Sequence, residues 1–310
     1  MLENKLSGSP AELYRPVDYL LSLGGKRLRP AALLMGHFLF ADDVEKSMPA
    51  AYAIEVFHNF TLMHDDIMDA APLRRGKPTV HEKYGLNAGI LSGDVMLVYA
   101  YDYLLRLELQ RLPAVLKVFN QTAIEVCEGQ QMDMNFETRN DVTIGEYIRM
   151  IELKTSVLLA AALQIGALLG NADEADAKAL YEFGRNLGIA FQLQDDVLDT
   201  YGDPVKFGKK TGGDIAQNKR TFLYLKALEL ASDTDRKALL NHYSNAAKDN
   251  EKKIREVIGI FNKLDIKVLA ENEKLRFQDA ALGYLSSVNA PPKRKKILGD
   301  FAHSLLQREL

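Results

Sequence analysis

The pattern Asp-Asp-x-x-Asp occurs twice in this chain, at Asp65-Asp66-Ile67-Met68-Asp69 and at Asp195-Asp196-Val197-Leu198-Asp199, each time inside an apolar stretch. On a helix the first and last Asp of each run lie about one turn apart on one face. Like charges at that spacing repel by roughly 0.2–0.5 kcal/mol per pair. A solvated acidic face tolerates such repulsion, but Phe60, Leu62 and Met63 before the first run and Phe191 and Leu193 around the second are not the neighbours of a solvated face. The repulsion calls for a bound cation. The ligands on offer are hard oxygens with no Cys in either run, which suits Mg²⁺, an ion that keeps several waters and shares its shell with substrate phosphates.

Around these runs the chain reads as helix after helix. Ser9-Pro10-Ala11-Glu12 has the form of a capping box with Pro at the first helical position, and Pro16 then predicts a kink or a later start. Gly24-Gly25 ends this helix, and the next starts at Pro30 and reaches Phe40. A long helix runs from about Pro49 through the first acidic run to a stop at Pro72, followed by the polar loop Pro72 to Pro78. Further helices are predicted over Asn87–Leu107, Pro113–Phe136 and Thr143–Leu169, the last with a second capping box, Thr143-x-x-Glu146, and a close at Gly170. The helix from Asp173 carries the second run and ends near Gly202, before a loop at Gly208–Gly213. Amphipathic helices fill most of the remainder. No sustained strand alternation and no linker is found, so the expectation is an all-α fold in one domain, 1–310.

Composition narrows the class. Hydrophobic residues at 47% and charged residues at 26% allow a sizeable buried core. A net charge of −3 carries no electrostatic footprint for nucleic acid. The single Cys127 excludes an internal disulfide and a thiolate metal cage, which points to a reducing compartment. Met1 to Lys5 lacks the apolar core of a signal peptide, and Val157–Leu169, interrupted by Gln164, is too short to span a bilayer. The expectation is a soluble, cytoplasmic protein without a transmembrane segment.

Cations gather near the carboxylates. Lys26, Arg27 and Arg29 lie at a helix junction, Arg74-Arg75 just past the first acidic run, and Lys209-Lys210 just past the second. Lys154, among Met150, Ile151, Val157 and Leu158, calls for an anionic partner. Arg as a bidentate fork and Lys as a point charge beside paired carboxylates is the pattern of phosphate recognition with metal bridging. Neither G-x-x-x-x-G-K-[ST] nor G-x-G-x-x-G occurs, so a nucleotide held in a P-loop is not expected.

From Gly24 to at least Thr221 the chain resembles the trans-isoprenyl diphosphate synthases. Gly24-Gly25-Lys26-Arg27-Leu28-Arg29-Pro30 resembles the family's first basic motif, with His58 at the matching place downstream of it. Asp65–Asp69 and Phe191–Asp199 resemble its two aspartate-rich motifs. Leu73–Thr79, Cys127–Asp133, Lys154-Thr155, and Lys209, Asp214 and Lys219 resemble the others, in the family's order. Each motif alone has weak to moderate specificity; the ordered set is specific. The short tail Leu306–Leu310 has no assignable motif.

The resemblance implies an all-helical, single-domain bundle around a central cavity, a likeness to homodimers, and prenyl transfer from an allylic diphosphate to isopentenyl diphosphate. It implies that Asp65, Asp69 and Asp195 ligate Mg²⁺, with Asp66, Asp196 and Asp199 in support. It implies that Arg74, Lys154, Thr155, Gln192, Lys209 and Lys219 hold the allylic diphosphate, and that Lys26, Arg29, His58 and Arg75 hold isopentenyl diphosphate. Metal ions and fixed cations would stabilise the leaving diphosphate, and apolar walls would keep water from the allylic cation. No side chain identifies itself as the base; in the family the departing diphosphate is given that part. A terpene cyclase would need one diphosphate and not two, which the set Lys26, Arg29 and His58 argues against. A non-catalytic partner subunit would be expected to have lost aspartates, and none is lost. A metal-dependent phosphohydrolase built on His64-Asp65 lacks its other His ligands.

Product length follows from a helical ruler. Phe60 lies about 7.5 Å and Phe57 about 12 Å down the axis from Asp65 at 1.5 Å per residue. A tail running back along this helix would meet a Phe floor within a few isoprene units. The expected product is short: farnesyl first, with geranylgeranyl close behind because Thr61 is not aromatic.

Overall fold

Apolar residues at helical spacing, punctuated by Pro and Gly, produce an all-α architecture in the computed structural model. It describes residues 6–202, 211–244 and 249–307. These fall in two compact units, one formed by residues 1–122 and 161–180, the other by 123–160 and 181–310.

The first unit begins with α1 (Ala11–Ser22) and α2 (Leu28–Phe38), followed by a single 3₁₀ turn at Val44–Ser47. The expected Ser9 capping box is not made: Pro10 is the N-cap and no side chain caps the helix. Pro16 stands inside α1, with Val17 and Leu20 buried beside it. The unit continues with α3 (Met48–Met68), α4 (Val80–Tyr84), α5 (Leu86–Leu104) and the first part of α6 (Leu112–Thr138). Pro49 opens α3, where a missing N–H costs nothing. The segment after α3, expected as a plain loop, is a minimal hairpin: Leu73 pairs with Pro78 and Arg74 with Lys77. Arg75 (φ 54°) and Gly76 (φ 74°) form its two-residue turn, both in the left-handed region that a type I′ turn demands.

The predicted helix over Thr143–Leu169 is three pieces: α7 (Ile144–Ile151), a π-turn at Glu152–Ser156, and α8 (Val157–Leu169). Its capping box forms as read, with the Glu146 N–H donating to Thr143 Oγ1 at 3.2 Å and the Thr143 N–H donating to Glu146 Oε2 at 2.9 Å. Taken as one run, Ile144–Leu169 is 26 residues and apolar enough to cross a membrane by length and composition. It is nevertheless 72% buried within the protein, as a core helix is.

The second unit contains α9 (Glu174–Tyr201) from Tyr181 on, then α10 (Gly213–Ala216), α11 (Phe222–Leu230), α12 (Asp233–Ser244), α13 (Asn250–Lys263), α14 (Ile266–Ser287) and α15 (Pro292–Leu306). Asp173 caps α9 through the Asp176 N–H, 2.8 Å from its Oδ1. Part of the loop expected at Gly208–Gly213 lies outside the described residues, as do Lys209, Lys210 and the tail from Arg308.

Within the first unit α2 and α8 approach to backbone contact, and glycines make this possible. A methyl at Gly166 would lie 1.9 Å from the Leu33 carbonyl oxygen, one at Gly170 2.6 Å from the His37 carbonyl oxygen, and one at Gly36 2.5 Å from the Leu163 carbonyl oxygen. Exposed Gly259 of α13 has open space around it. The same substitution should therefore act with opposite sign at the two places. Gly166→Ala should cost about 3 kcal/mol or more through overpacking against backbone. Gly259→Ala should stabilise by up to about 1 kcal/mol through helix propensity and a less flexible unfolded chain. Urea unfolding midpoints of the two variants check this; a shift of the same sign in both would contradict it.

Candidate active site

In the first unit α3 carries the acidic run at its C-terminal end. Asp65 is half-buried, Asp66 is buried and Asp69 is exposed. Burying Asp66 demands a partner, and the hairpin supplies one: Arg74 Nε donates to Asp66 Oδ2 at 2.8 Å, with Nη2 3.8 Å from Asp65 Oδ2. Arg74 thus ties the hairpin to the run it follows in sequence.

The basic loop between α1 and α2 is held on the same helix two turns back. Gly24 (φ 81°), Gly25 (φ 139°) and Arg27 (φ 50°) turn the chain sharply. Arg27 pairs with Glu55 of α3 and donates to the Leu21 carbonyl at 2.9 Å. Glu55 is buried and also accepts from Asn59 Nδ2 at 2.9 Å. Arg75, from the hairpin turn, donates to the Gly24 carbonyl, so both basic segments meet.

Arg29 Nη1 lies 3.1 Å from His58 Nε2. Burial pushes the His58 imidazole well below its ordinary value, and Arg29, Arg74, Arg75 and Arg27 add to the effect. His58 is therefore neutral at physiological pH. Since a guanidinium can only donate, Nε2 is the acceptor and Nδ1 carries the proton. Burial also lowers Arg29, to about 10, against an opposing pull from Glu55. Arg29 remains a cation, and this corner of the molecule concentrates positive charge. Lys26 is exposed on the same loop.

Behind the acidic run, Phe57 is buried with its ring 5.6 Å from Phe60 and 5.1 Å from Phe119. Phe60 is half-buried and stands edge-on to His64 at 4.8 Å. Thr61 turns its hydroxyl back to the His58 carbonyl at 2.8 Å. His64 faces α5: its Nε2 is 3.1 Å from the Ile90 carbonyl, and a methyl on Gly93 would strike it. This engagement argues against His64 as a metal ligand of a phosphohydrolase.

In the second unit α9 repeats the division of labour. Asp195 and Asp199 are half-buried, and Asp196 is buried. Tyr147 of α7 donates its hydroxyl to Asp196 Oδ2, and Gln192 Nε2 lies 3.4 Å from Oδ1. Burial, with Asp214 next, raises Asp196 well above the usual carboxylate range. Asp199 Oδ2 accepts the Asp214 N–H at 2.9 Å, and Lys219 Nζ is 3.6 Å from Asp214 Oδ1. Lys154 has the anionic partner that its apolar setting called for: Nζ is 2.6 Å from Asp133 Oδ2. Thr155 Oγ1 reaches Gln192 Oε1 at 3.4 Å.

The predicted residues thus assemble within each unit. Lys26, Arg29, His58, Arg74, Arg75, Asp65 and Asp66 share one corner of the first; Lys154, Thr155, Gln192 and Asp196 share a network in the second. Lys209 lies outside the described residues. Sequence reasoning assigned no role to Glu55, Asn59, Asp133 or Tyr147. A carboxylate at Glu55 among Ile54, Val56 and Phe57 is the same kind of signal that singled out Lys154, and it marks a buried partner for a cation.

Among the described residues, no three His, Cys, Asp or Glu side chains converge into a preformed metal cage. Mg²⁺ does not require one, since it is commonly held by one or two carboxylates with waters and phosphate oxygens completing the shell. Accessible carboxylates at Asp65, Asp69 and Asp195 fit that requirement.

Comparison with known proteins agrees with this arrangement. The profile of the family described as polyprenyl synthetase matches residues 10–261. The geranylgeranyl diphosphate synthase of Methanosarcina mazei is 47% identical over 222 residues, covering 71% of this chain and 68% of that protein. That of Sulfolobus acidocaldarius is 38% identical over 310 residues, 97% of this chain and 93% of the relative. A crystal structure of a geranylgeranyl pyrophosphate synthase superimposes with a TM-score of 0.93 at 45% identity, covering 98% of this chain and 94% of that one. With a profile match over most of its length, relatives this similar and the same all-helical fold, the chain belongs to the polyprenyl synthetase family.

Proposed function

We propose that this protein is a trans-prenyltransferase that joins isopentenyl diphosphate to an allylic diphosphate and releases a short-chain prenyl diphosphate. One observation carries the reading. In each acidic run the second aspartate is buried and bonded within its own unit, while Asp65, Asp69 and Asp195 retain solvent access. Carboxylates arranged this way are built to meet a ligand.

Asp65, Asp69 and Asp195 would hold Mg²⁺, which when bound supplies Lewis-acid stabilisation of the leaving diphosphate. Arg74, Lys154, Thr155, Gln192, Lys209 and Lys219 bind the allylic diphosphate and orient its C–O bond for ionisation. Lys26, Arg29, Arg75 and His58 bind isopentenyl diphosphate. Neutral His58 adds a donor at Nδ1 without adding charge, and it fixes Arg29 through Nε2. Phe57, Phe60 and Phe119 line the path of the growing tail with apolar surface, which excludes water from the cation. Relatives named geranylgeranyl diphosphate synthase, together with a non-aromatic Thr61, favour geranylgeranyl over farnesyl as the product, reversing the order expected from Phe60 alone.

The protein acts as a homodimer in the cytoplasm. Support comes from the exposed residues Leu91 and Val98 on α5 and Leu105 at its end, seven residues apart and therefore on one stripe, with Leu86 and Ile90 alongside. A single exposed Cys127 is consistent with a reducing compartment.

Prenyl elongation should require Mg²⁺ and fall by about a hundredfold or more in Asp65→Asn and Asp195→Asn, with folding retained. Undiminished turnover in chelator, or in both variants, would refute the reading.

The two diphosphates should be separable by kinetics. Arg29→Ala should raise the KM for isopentenyl diphosphate by about tenfold or more with little change for the primer, and Lys154→Ala the reverse. Arg75→Gly should keep the hairpin, because glycine accepts the left-handed turn position, and should still raise the KM for isopentenyl diphosphate. Equal effects on both substrates in every variant would show the division to be wrong.

Phe60→Ala should lengthen the product by about one isoprene unit, and Phe57→Ala with Phe60→Ala by more, as read by product mass. Wild-type chains of about thirty carbons or longer, or unchanged lengths in the variants, would remove Phe60 as the floor.

A further inference from the structure

The helix carrying Lys154 and Thr155 is irregular at those residues. Over Glu152–Ser156 it widens into a π-turn in which the Val157 N–H reaches the Glu152 carbonyl, five residues back. Ser156 Oγ bonds the Ile151 carbonyl, also five back, at 3.3 Å. Such turns have poorer hydrogen-bond geometry than the α-helix they interrupt and recur at functional sites. The segment Glu152-Leu153-Lys154-Thr155-Ser156 contains neither Pro nor Gly that would force the irregularity.

What matches the turn lies on its neighbours. A methyl at Gly129 of α6 would stand 2.3 Å from the Lys154 backbone nitrogen and 2.7 Å from the Leu153 carbonyl carbon. A methyl at Gly188 of α9 would stand 2.6 Å from Ser156 Cβ and 2.7 Å from its Cα. Both glycines are buried within helices, and neither has a positive φ. Alanine would be the better helix former at each, so the missing side chain answers to close approach and not to backbone conformation.

Each glycine is followed one helical turn later by the residue that receives a side chain from the turn. Asp133, four beyond Gly129, takes Lys154; Gln192, four beyond Gly188, takes Thr155 and itself leads to Asp196. Residues four apart share a helix face. One face of α6 and one face of α9 therefore each offer a bare seat for the turn's backbone and a polar contact for its side chain.

We infer that Gly129 and Gly188 are positioning residues, which seat the π-turn and so set where Lys154 and Thr155 meet the allylic diphosphate. The inference rests on the reading that Lys154, Thr155 and Gln192 hold that diphosphate. Because the two side chains are consecutive on one turn, a Cβ on either glycine displaces both from Asp133 and Gln192 together.

Initial-rate kinetics of Gly129→Ala, Gly188→Ala and Lys154→Ala, with primer and isopentenyl diphosphate varied separately, test this. Each glycine variant, folded by circular dichroism, should lose about tenfold or more in kcat/KM for the primer while the KM for isopentenyl diphosphate stays within about twofold. Gly188→Ala combined with Ser156→Gly, which removes two of the three closest atoms, should recover primer kinetics to within about threefold of Ser156→Gly alone. Should a single glycine variant not fold, that double variant carries the test. Wild-type kinetics in both glycine variants, an equal rise in both KM values, or absence of rescue overturns the proposal. Lys154→Ala separates the two possible failures. Unchanged primer kinetics there refute the diphosphate assignment itself, whereas a raised primer KM there beside wild-type glycine variants refutes only the role of the glycines.

Discussion

Each acidic run places one carboxylate on the inward side of an apolar helix, and the arrangement around it follows from the need to satisfy that buried oxygen. Breaking a buried, paired charge typically costs about 3–5 kcal/mol, so the partner is as necessary as the carboxylate. For Asp66 the partner is Arg74, which pins the hairpin to the end of α3. For Asp196 it is Tyr147 with Gln192, which joins α7 to α9. The chemical solutions differ. A guanidinium neutralises the first carboxylate, whereas neutral donors meet the second, and burial raises its proton affinity well above the ordinary range. In both cases one aspartate is structural so that its neighbours can be ligands.

Positive charge in the first unit is managed by a comparable exchange. Four guanidinium groups close to one imidazole would be untenable if the imidazole were also charged, and His58 is held neutral by burial and by those same arginines. Glu55 offsets part of the crowding through Arg27, which it fixes in a left-handed turn conformation. The outcome is a loop whose remaining cations, Lys26 and Arg29, are carried on a rigid mount. Preorganised charge of this kind stabilises an anion without reorganisation when the ligand arrives.

Close backbone approach is the second recurring device. Gly36, Gly166 and Gly170 let α2 and α8 touch, and Gly129 and Gly188 receive the π-turn. These glycines sit inside helices, where propensity alone disfavours them. Their presence records packing, and it is through packing that Lys154 reaches Asp133 and Thr155 reaches Gln192.

Much of this was legible in the sequence for physical reasons. Helical periodicity and Pro and Gly punctuation identify the all-α class, and the capping box at Thr143 marks a helix start because its bonds are local. The duplicated Asp-Asp-x-x-Asp runs and the isolated Lys154 announce a ligand and a partner, since unbalanced charge in apolar helices demands both. Other features were out of reach. Ser9 looks like a cap, yet Pro10 takes the position without a side-chain bond. The π-turn leaves no local mark, because what accommodates it is the absence of atoms on two other helices. The pairing of Asp66 with Arg74 and the neutrality of His58 depend on groups brought together only by folding. Sequence by itself determined the helices, the ligand-bearing residues and the family to which their order belongs. Which aspartate is buried, which cation it meets and how the helix bends at Lys154 were decided by tertiary structure, because burial, pairing and close approach are properties of neighbours in space.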